Sequence, residues 1–101
     1  MVILPEFTGF DWDSGNIAKN LEKHDVSIQE AEEMFSVKPL VARLDEKHSN
    51  KEIRFQALGK TKAARRLFIA FTFRSNKLRP ISVRDMTPNE EQAYEKFERN
   101  S

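Results

Sequence analysis

The feature that most constrains this chain is a nine-residue run, Arg66 to Arg74, in which apolar side chains recur at every second position. One set of alternating residues is Leu67, Ile69, Phe71 and Phe73, and the other set is Arg66, Phe68, Ala70, Thr72 and Arg74. Successive side chains of a β-strand point to opposite faces of a sheet. The run therefore predicts a strand with one buried face and one face that is largely polar.

The same period continues on both sides of this run. We predict further strands over Val41–Asp45, Glu52–Leu58 and Leu78–Arg84, with Ile53, Phe55 and Ala57 on the core face. A polar turn (Glu46–Asn50), a basic loop (Gly59–Ala64) and a turn (Ser75–Lys77) connect them. Pro80 cannot donate a hydrogen bond to a neighbouring strand, which indicates an edge position or a local irregularity.

Helical spacing flanks the strands. Ile17, Leu21 and His24 predict a helix over about 14–24, supported by Ala18 and capped by Asp13 or Ser14. A capping box formed by Ser27 and Glu30 begins a second helix, which ends before Pro39 and has the buried stripe Ile28, Ala31, Met34 and Phe35.

A third helix is predicted at the C-terminus. Thr87 is its N-cap, Pro88 occupies the first helical position, and Glu90 completes a second capping box. Ala93, Tyr94 and Phe97 form its apolar face. With a short β-like stretch at Phe10–Trp12, the element order is β-α-α-β-β-β-β-α. We expect one α+β domain over residues 1–101, an antiparallel sheet with the helices packed on one face.

Charge is segregated along the chain. Residues 1–50 carry a net charge of −5, residues 51–84 carry +9, and residues 85–101 carry −3. The basic segment holds ten Lys and Arg against Glu52 alone. Strands also expose such residues for solubility and edge protection, but this excess predicts a sheet that binds a polyanion.

Composition excludes several classes of function. The chain has no cysteine, which excludes disulfides and thiolate chemistry, and two histidines without a suitable cluster of carboxylates make a poor metal site. The N-terminus lacks the basic start and apolar run of a signal peptide, and no run could span a membrane. We expect a cytoplasmic protein that needs neither metal nor cofactor and does not contact the membrane.

Alternation assigns the candidate binding residues to the face opposite the core. That face is expected to carry Glu52, Arg54, Arg66, Thr72, Arg74, Ser82 and Arg84, whereas Arg79 is expected to point with Ile81, nearer the core side or the start of the strand. Arginine suits phosphate because its planar fork binds two oxygens and keeps its charge at any working pH.

The aromatic and imidazole side chains leave alternatives open. His24 and His48 are the proton-transfer candidates, although His24 also fits a helix-end residue and His48 a plain loop residue. Tyr94 is expected to be a core residue with its hydroxyl at the rim. Trp12 is expected to anchor the first strand against the helices rather than to stack on a base.

Taken in order, these segments resemble the BrnT family of toxins from bacterial type II toxin–antitoxin modules. The resemblance runs from Phe10 to about Tyr94 and rests on FDWD (10–13), NLEKHDVS (20–27), Glu30-Ala31 leading to Phe35, Asp45–His48, EIRF (52–55), Gly59, LFIAFT (67–72), RPISVRDM (79–86) and Glu90–Tyr94.

The resemblance implies a fold similar to the RelE-type ribonuclease toxins, with RNA cleavage as the activity. It also implies neutralisation by a BrnA-type antitoxin, a ribbon-helix-helix protein whose dimerisation would join two toxins in a heterotetramer. The DNA-binding half of that antitoxin would contact the operator. The family pattern is matched at Lys23, His24, His48, Glu52, Arg54, Thr72, Arg74, Arg79, Ser82 and Arg84.

The leading hypothesis is a metal-independent endoribonuclease that inhibits growth. His48 or Glu52 would be the base, with His24 in reserve, and Arg54, Arg74 and Arg84 would stabilise the charge on the phosphate. The expected RNA-binding residues are Lys23, His24, Arg66, Thr72, Arg79 and Ser82. The alternatives are a non-catalytic nucleic-acid-binding module and a basic docking domain for an acidic partner.

Overall fold

The computed structural model describes residues 3–13 and 15–100 and confirms the α+β class. In chain order its elements are α1 (Ile17–His24), α2 (Ile28–Glu33), β1 (Val41–Leu44), a 3-10 helix (Glu46–His48), β2 (Phe55–Lys60), β3 (Arg66–Arg74), β4 (Lys77–Asp85) and α3 (Pro88–Arg99). The four strands form an antiparallel meander in the order β1-β2-β3-β4.

The pairing between neighbouring strands determines where each strand begins and ends. β3 has the predicted limits, whereas β2 begins at Phe55 and not at Glu52. Phe55 is opposite Leu44, the last residue of β1, and beyond this pair the Asp45 N–H donates to the Arg54 carbonyl at 2.8 Å. At its other end β2 extends to Lys60, which pairs with Arg66, so the predicted basic loop is shorter than expected.

One face of the sheet holds the main core. Phe71 is fully buried, and its ring centre lies 5.5–5.7 Å from those of Phe35, Phe55 and Phe73. Helices α1 and α2 close this face with Ile17, Leu21, Ala31 and Met34. Gly59 allows close packing here, because a Cβ at this position would lie 3.1 Å from the Met34 side chain and 3.2 Å from its carbonyl, so its neighbours would have to shift.

The two predicted capping boxes are present, but the start of α1 differs. In α2 the Glu30 N–H donates to the Ser27 hydroxyl and the Ser27 N–H to the Glu30 carboxylate, both at 3.0 Å. Thr87 and Glu90 make the same exchange in α3. Helix α1 begins at Ile17 after Asn16, so Asp13 is not its cap; Ser14, the other predicted cap, lies outside the described residues.

Some apolar residues assigned to the core are exposed instead. Ile53 is 59% exposed, because it precedes β2 and lies outside the paired ladder. Ile28 occupies the first turn of α2 and is 46% exposed, while Ala18 faces solvent on α1. The predicted first strand is reduced to an isolated parallel bridge between Phe10 and Leu78.

An irregularity in β4 reverses the predicted orientation of Arg79. Ser82 pairs with Ala70 but Pro80 pairs with Phe71, so Ile81 is an extra residue in this edge strand. A single inserted residue shifts the alternation by one position. Arg79 therefore pairs with Thr72 and shares its face, contrary to the expectation that it follows Ile81. Pro80 lies at the irregularity, in an edge strand, as its chemistry predicted.

The expectation that the helices share one face of the sheet is wrong for α3. This helix packs on the second face, where Asn89, Ala93 and Phe97 line a cleft against Leu58 and Phe68. Tyr94 is fully buried there, and its hydroxyl donates to the Pro39 carbonyl at 2.6 Å. The reason is electrostatic as well as apolar, because the carboxylates of α3 contact the basic side chains of that face.

We predict that Ile69→Ala lowers the free energy of unfolding by about 2–5 kcal/mol, the usual cost of such a truncation in a packed core. Ile53→Ala is the matched control and should change it by less than about 0.5 kcal/mol, since Ile69 is fully buried and Ile53 is exposed. Urea denaturation of the two variants measures both values. Equal losses would contradict the assigned limits of β2.

Candidate functional site

Helix α3 divides the second face of the sheet into two parts. The covered half, which lies under α3, comprises Leu58, Lys60, Arg66, Phe68 and Arg84. The open half is formed by the cross-strand pairs Ala70–Ser82, Thr72–Arg79 and Arg74–Lys77. The predicted basic face is therefore only partly available to a ligand.

The cations of the covered half are neutralised by α3. Arg66 lies 3.7, 3.0 and 2.7 Å from the carboxylates of Glu91, Glu95 and Glu98, and Lys60 lies 2.7 Å from Glu98. The hydrogen bond with Glu95 and the charges of the three glutamates raise the pKa of Arg66 above its ordinary value. Arg66, expected on the free face, is instead part of the attachment of α3.

Arg84 stands at the border between the two halves. Its guanidinium donates to both carboxylate oxygens of Glu90, at 2.7 and 3.1 Å, and lies 4.0 Å from the centre of the Phe68 ring. Burial acts to raise the pKa of Glu90, but hydrogen bonds from Arg84 and Thr87 outweigh it and lower that pKa. Arg84 is thus fixed in place, and its side chain remains 30% exposed.

The cations of the open half are paired loosely or not at all. Arg74 donates to Glu52 at 3.3 Å and Arg79 lies 3.5 Å from Asp11. Arg54 precedes β2 on the side of Thr72, as the pairing of Phe55 with Phe71 indicates. Among the described residues, neither Arg54 nor Lys77 has an ion-pair partner.

The two hydroxyl groups assigned to this face have structural partners. Thr72 is buried, and its hydroxyl donates to the Ile53 carbonyl at 2.7 Å. Ser82 accepts a hydrogen bond from the Asn20 amide at 3.3 Å. Asn20 also accepts from the Val83 N–H at 2.7 Å, which attaches α1 to the edge of β4. Sequence reasoning gave Asn20 no such role.

His48 belongs to a chain of side chains that starts on β1. Its Nδ1 atom lies 3.0 and 3.2 Å from the carboxylate oxygens of Asp45, and Gln56 donates to that carboxylate at 3.1 Å. Arg43 in turn donates to the Gln56 carbonyl oxygen at 3.0 and 2.8 Å. Gln56 is opposite Ala70, so the middle of this chain lies next to the open half, whereas His48 lies in the 3-10 helix that follows β1.

Asp45 is the residue of this chain that sequence reasoning missed. Burial acts to raise the pKa of Asp45, but hydrogen bonding and charge from His48 outweigh it and lower that pKa. An ionised Asp45 bonded to Nδ1 leaves Nε2 of His48 available to a ligand. The only signal in the sequence was the spacing of the two residues, three positions apart.

Lys23 and His24 lie elsewhere. They end α1, where Arg65 donates to the His24 and Asp25 carbonyls and contacts Asp85 at 2.8 Å. Hydrogen bonding with Asp85 raises the pKa of Arg65 above its ordinary value. Asp85 is opposite Leu67, at the end of β3 remote from Arg74. The structure therefore joins Arg74 to Glu52 and pairs Thr72 with Arg79, with Arg54 next in the chain to the Ile53 carbonyl that Thr72 binds. His48 lies with Asp45 beyond the end of β1, and Lys23, His24 and Arg66 lie elsewhere.

Two negative observations concern the described residues only. They contain no group of three or more His, Cys, Asp or Glu side chains that could hold a metal ion. No helix among them is long and apolar enough to cross a membrane.

Comparison with protein families agrees with the resemblance read from the sequence. Residues 12–90 match the model of a family described as the ribonuclease toxin BrnT of type II toxin–antitoxin systems. The match covers β1 to β4, both N-terminal helices and the first turn of α3. A comparison with curated proteins found no match.

The ion pairs of α3 predict an acid-sensitive fold. The pKa values of Glu90 and Glu98 lie below their ordinary value of 4.5 because Arg84 and Lys60 bond to the ionised groups. A carboxyl group whose pKa is lowered on folding contributes stability above the unfolded pKa and loses it as pH falls through the folded pKa. We predict that stability declines below about pH 4.5.

The double variant E90Q/E98Q should be less stable than the wild type at pH 7 and should lose less stability on acidification. Urea midpoints between pH 7 and pH 3 measure both effects. The double variant E6Q/E22Q removes two exposed carboxylates and serves as the control for charge. An acid dependence of E90Q/E98Q as steep as that of the wild type would contradict this account.

Proposed function

Because the chain belongs to the BrnT family of ribonuclease toxins from type II toxin–antitoxin systems, we propose that it cleaves RNA on the open half of its sheet without a metal ion. The observation that carries this proposal is the contrast between the two halves. Arg66 is held by three glutamates, whereas Arg54, Arg74 and Arg79 surround a surface whose centre is formed by small side chains. The Arg74 side chain is 54% exposed and has one carboxylate at 3.3 Å, so it can exchange that carboxylate for a phosphate more readily than Arg66 can release three.

The reaction would begin with the 2′-hydroxyl of the RNA. His48 Nε2 takes its proton, the 2′-oxygen attacks the adjacent phosphorus, and the bond from phosphorus to the 5′-oxygen breaks. The products are a 2′,3′-cyclic phosphate and a 5′-hydroxyl, whose oxygen takes its proton from water, while the His48 imidazolium returns its proton to solvent. General-base catalysis of this kind contributes about 10²–10⁴-fold. No step requires a metal ion.

The surroundings of the two candidate bases favour His48 over Glu52. Asp45 binds Nδ1 of His48, which orients the ring and stabilises the imidazolium that forms. Glu52 is bonded to Arg74 at 3.3 Å, and we assign it to holding that arginine before RNA binds. Arg54 and Arg74 would bind the phosphoryl oxygens, with Arg84 at the border, and removal of such a donor commonly costs about 10²–10³ in kcat.

Other expected residues receive narrower roles. Arg79 would contact RNA from the open half, while Thr72 and Ser82 would shape its floor, since their hydroxyls already have protein partners. Direct contacts by Lys23, His24 and Arg66 receive no support from their positions.

The partner implied by the family is an antitoxin protein. We propose that it is of the BrnA type, a ribbon-helix-helix protein that dimerises, joins two toxin chains in a heterotetramer and alone contacts operator DNA. An acidic segment of it would cover the open half and so both bind and inhibit. We further propose a RelE-like relationship for the fold and a cytoplasmic location.

The first test is cleavage of RNA by the purified protein in EDTA, followed by analysis of the new ends. We expect cyclic phosphates and 5′-hydroxyls at an undiminished rate, and a loss of about 10²-fold or more in kcat for Arg54→Ala. Arg99→Ala removes an exposed arginine of α3 and is the matched control.

Each failure of this test has a distinct meaning. A strict requirement for metal would exclude the mechanism, and full activity of Arg54→Ala would exclude the open half as the site. Salt-sensitive RNA binding without cleavage would favour the non-catalytic binding module. Binding of an acidic protein alone would favour the docking domain.

The second test concerns the proton acceptor. We predict that His48→Ala lowers kcat by about 10²–10⁴-fold. Asp45→Asn should lower kcat while KM changes little, because the amide cannot stabilise the imidazolium. NMR of the ring nitrogens should show the Nδ1–H tautomer of His48 in the wild type and a mixture in Asp45→Asn. An unchanged tautomer together with unchanged kcat would remove Asp45 from the mechanism.

A further inference from the structure

We propose that a cleft next to the open half binds one nucleotide of single-stranded RNA, adjacent to the phosphate that is cleaved. This inference rests on the proposed function and adds a substrate subsite to it. The cleft has a volume of about 330 Å³ and separates the N-terminal segment from the β3–β4 hairpin. Its lining includes Phe10, Asp11, Trp12, Asp13, Arg74 and Lys77.

Trp12 gives the cleft a preformed aromatic wall. Its indole N–H donates to Glu32 at 2.8 Å, and its ring stacks on Phe10 with centres 6.4 Å apart and planes inclined by 21°. These contacts fix the plane of a ring that is still partly exposed. A fixed, accessible indole is a platform on which any base can stack.

The opposite wall carries an excess of positive charge. Arg74 and Lys77 are directly opposite each other in the β3–β4 pair, and like charges in that arrangement destabilise a sheet. Glu52 offsets Arg74 only, and no carboxylate among the described residues is within ion-pair distance of Lys77. A phosphate between the two side chains would relieve their repulsion.

The carboxylates of the cleft determine which way a nucleotide would lie. Asp11 accepts a hydrogen bond from the Asp13 N–H at 3.0 Å and contacts Arg79, so it is already engaged. Asp13 is exposed and would repel a phosphate, but it can accept hydrogen bonds from the amino or imino group of a base. The base is therefore assigned to the side of Trp12 and the phosphate to the hairpin.

Arg74 connects this subsite to the proposed reaction site. It lines the cleft and also belongs to the open half, where Arg79 is on the neighbouring pair of residues. A strand bound in the cleft would thus continue over the open half. This arrangement favours RNA over an acidic peptide, which would contact the cations but would not stack on the partly exposed indole.

Trp12 is the only tryptophan in the chain, so its fluorescence reports on this cleft alone. The probe is a short 2′-O-methyl oligoribonucleotide, which cannot undergo attack by a 2′-hydroxyl. We expect saturable quenching in the wild type and also in Arg54→Ala, although kcat of Arg54→Ala is lowered about 10²-fold or more. The same oligomer with abasic sites should bind about 5- to 150-fold more weakly and should not quench, since stacking is lost.

Lys77→Ala should weaken binding, reduce the salt dependence of the affinity by about one ion and raise KM for cleavage. Lys19→Ala, on the exposed surface of α1, is the matched control. Cleavage by the wild type without quenching, or equal affinities of the two lysine variants, would overturn the subsite and leave the proposed function intact. Equal quenching by polyglutamate would overturn RNA as the ligand.

Discussion

The attachment of α3 to the second face of the sheet is the interaction on which the rest of the site depends. Glu90, Glu91, Glu95 and Glu98 lie along one helix and bind basic side chains of three strand positions, while Tyr94 is buried beneath them. Without this helix the face would present basic side chains at both ends of β3. With it, the cations at the Arg66 end are held by carboxylates, while Arg74 at the other end is 54% exposed with one partner at 3.3 Å.

The periodicity of the sequence was sufficient to predict the helices and strands, but not to predict which face of the sheet every side chain occupies. Alternation in β3 and the two capping boxes are local properties, so one chain segment contains all that is needed to predict them. The orientation of Arg79 depends on an inserted residue at Ile81, which is visible only in the pairing with β3. The exposure of Ile53 likewise depends on where β1 ends, because β2 begins at the residue that pairs with Leu44. The alternation within residues 52–58 contains no information about the end of β1.

The positive charge of the basic segment is used mainly for ion pairs within the fold, so it said less about the ligand. Six of its ten cations, among them Arg65 and Arg66, form ion pairs within the described residues. Helix α3, which carries the acidic residues that follow the basic segment in the chain, packs against that segment. The candidate bases show the same limit, because His48 was recognisable as an imidazole but its partner Asp45 emerged only from the turn that brings the two together.

The strength of the remaining ion pairs decides which arginines can exchange a carboxylate for a phosphate. Arg74 and Glu52 are both largely exposed and 3.3 Å apart, and such pairs contribute only about 0.2–1 kcal/mol. A bidentate phosphate contact is stronger, so it can displace Glu52 at little cost. Arg66 would have to release three carboxylates and loosen α3. The same chemistry therefore attaches α3 at one end of the strand and would serve recognition at the other. The attaching cations have several carboxylates or a short bidentate contact, as Arg66 and Arg84 do, whereas Arg74 has one contact at 3.3 Å.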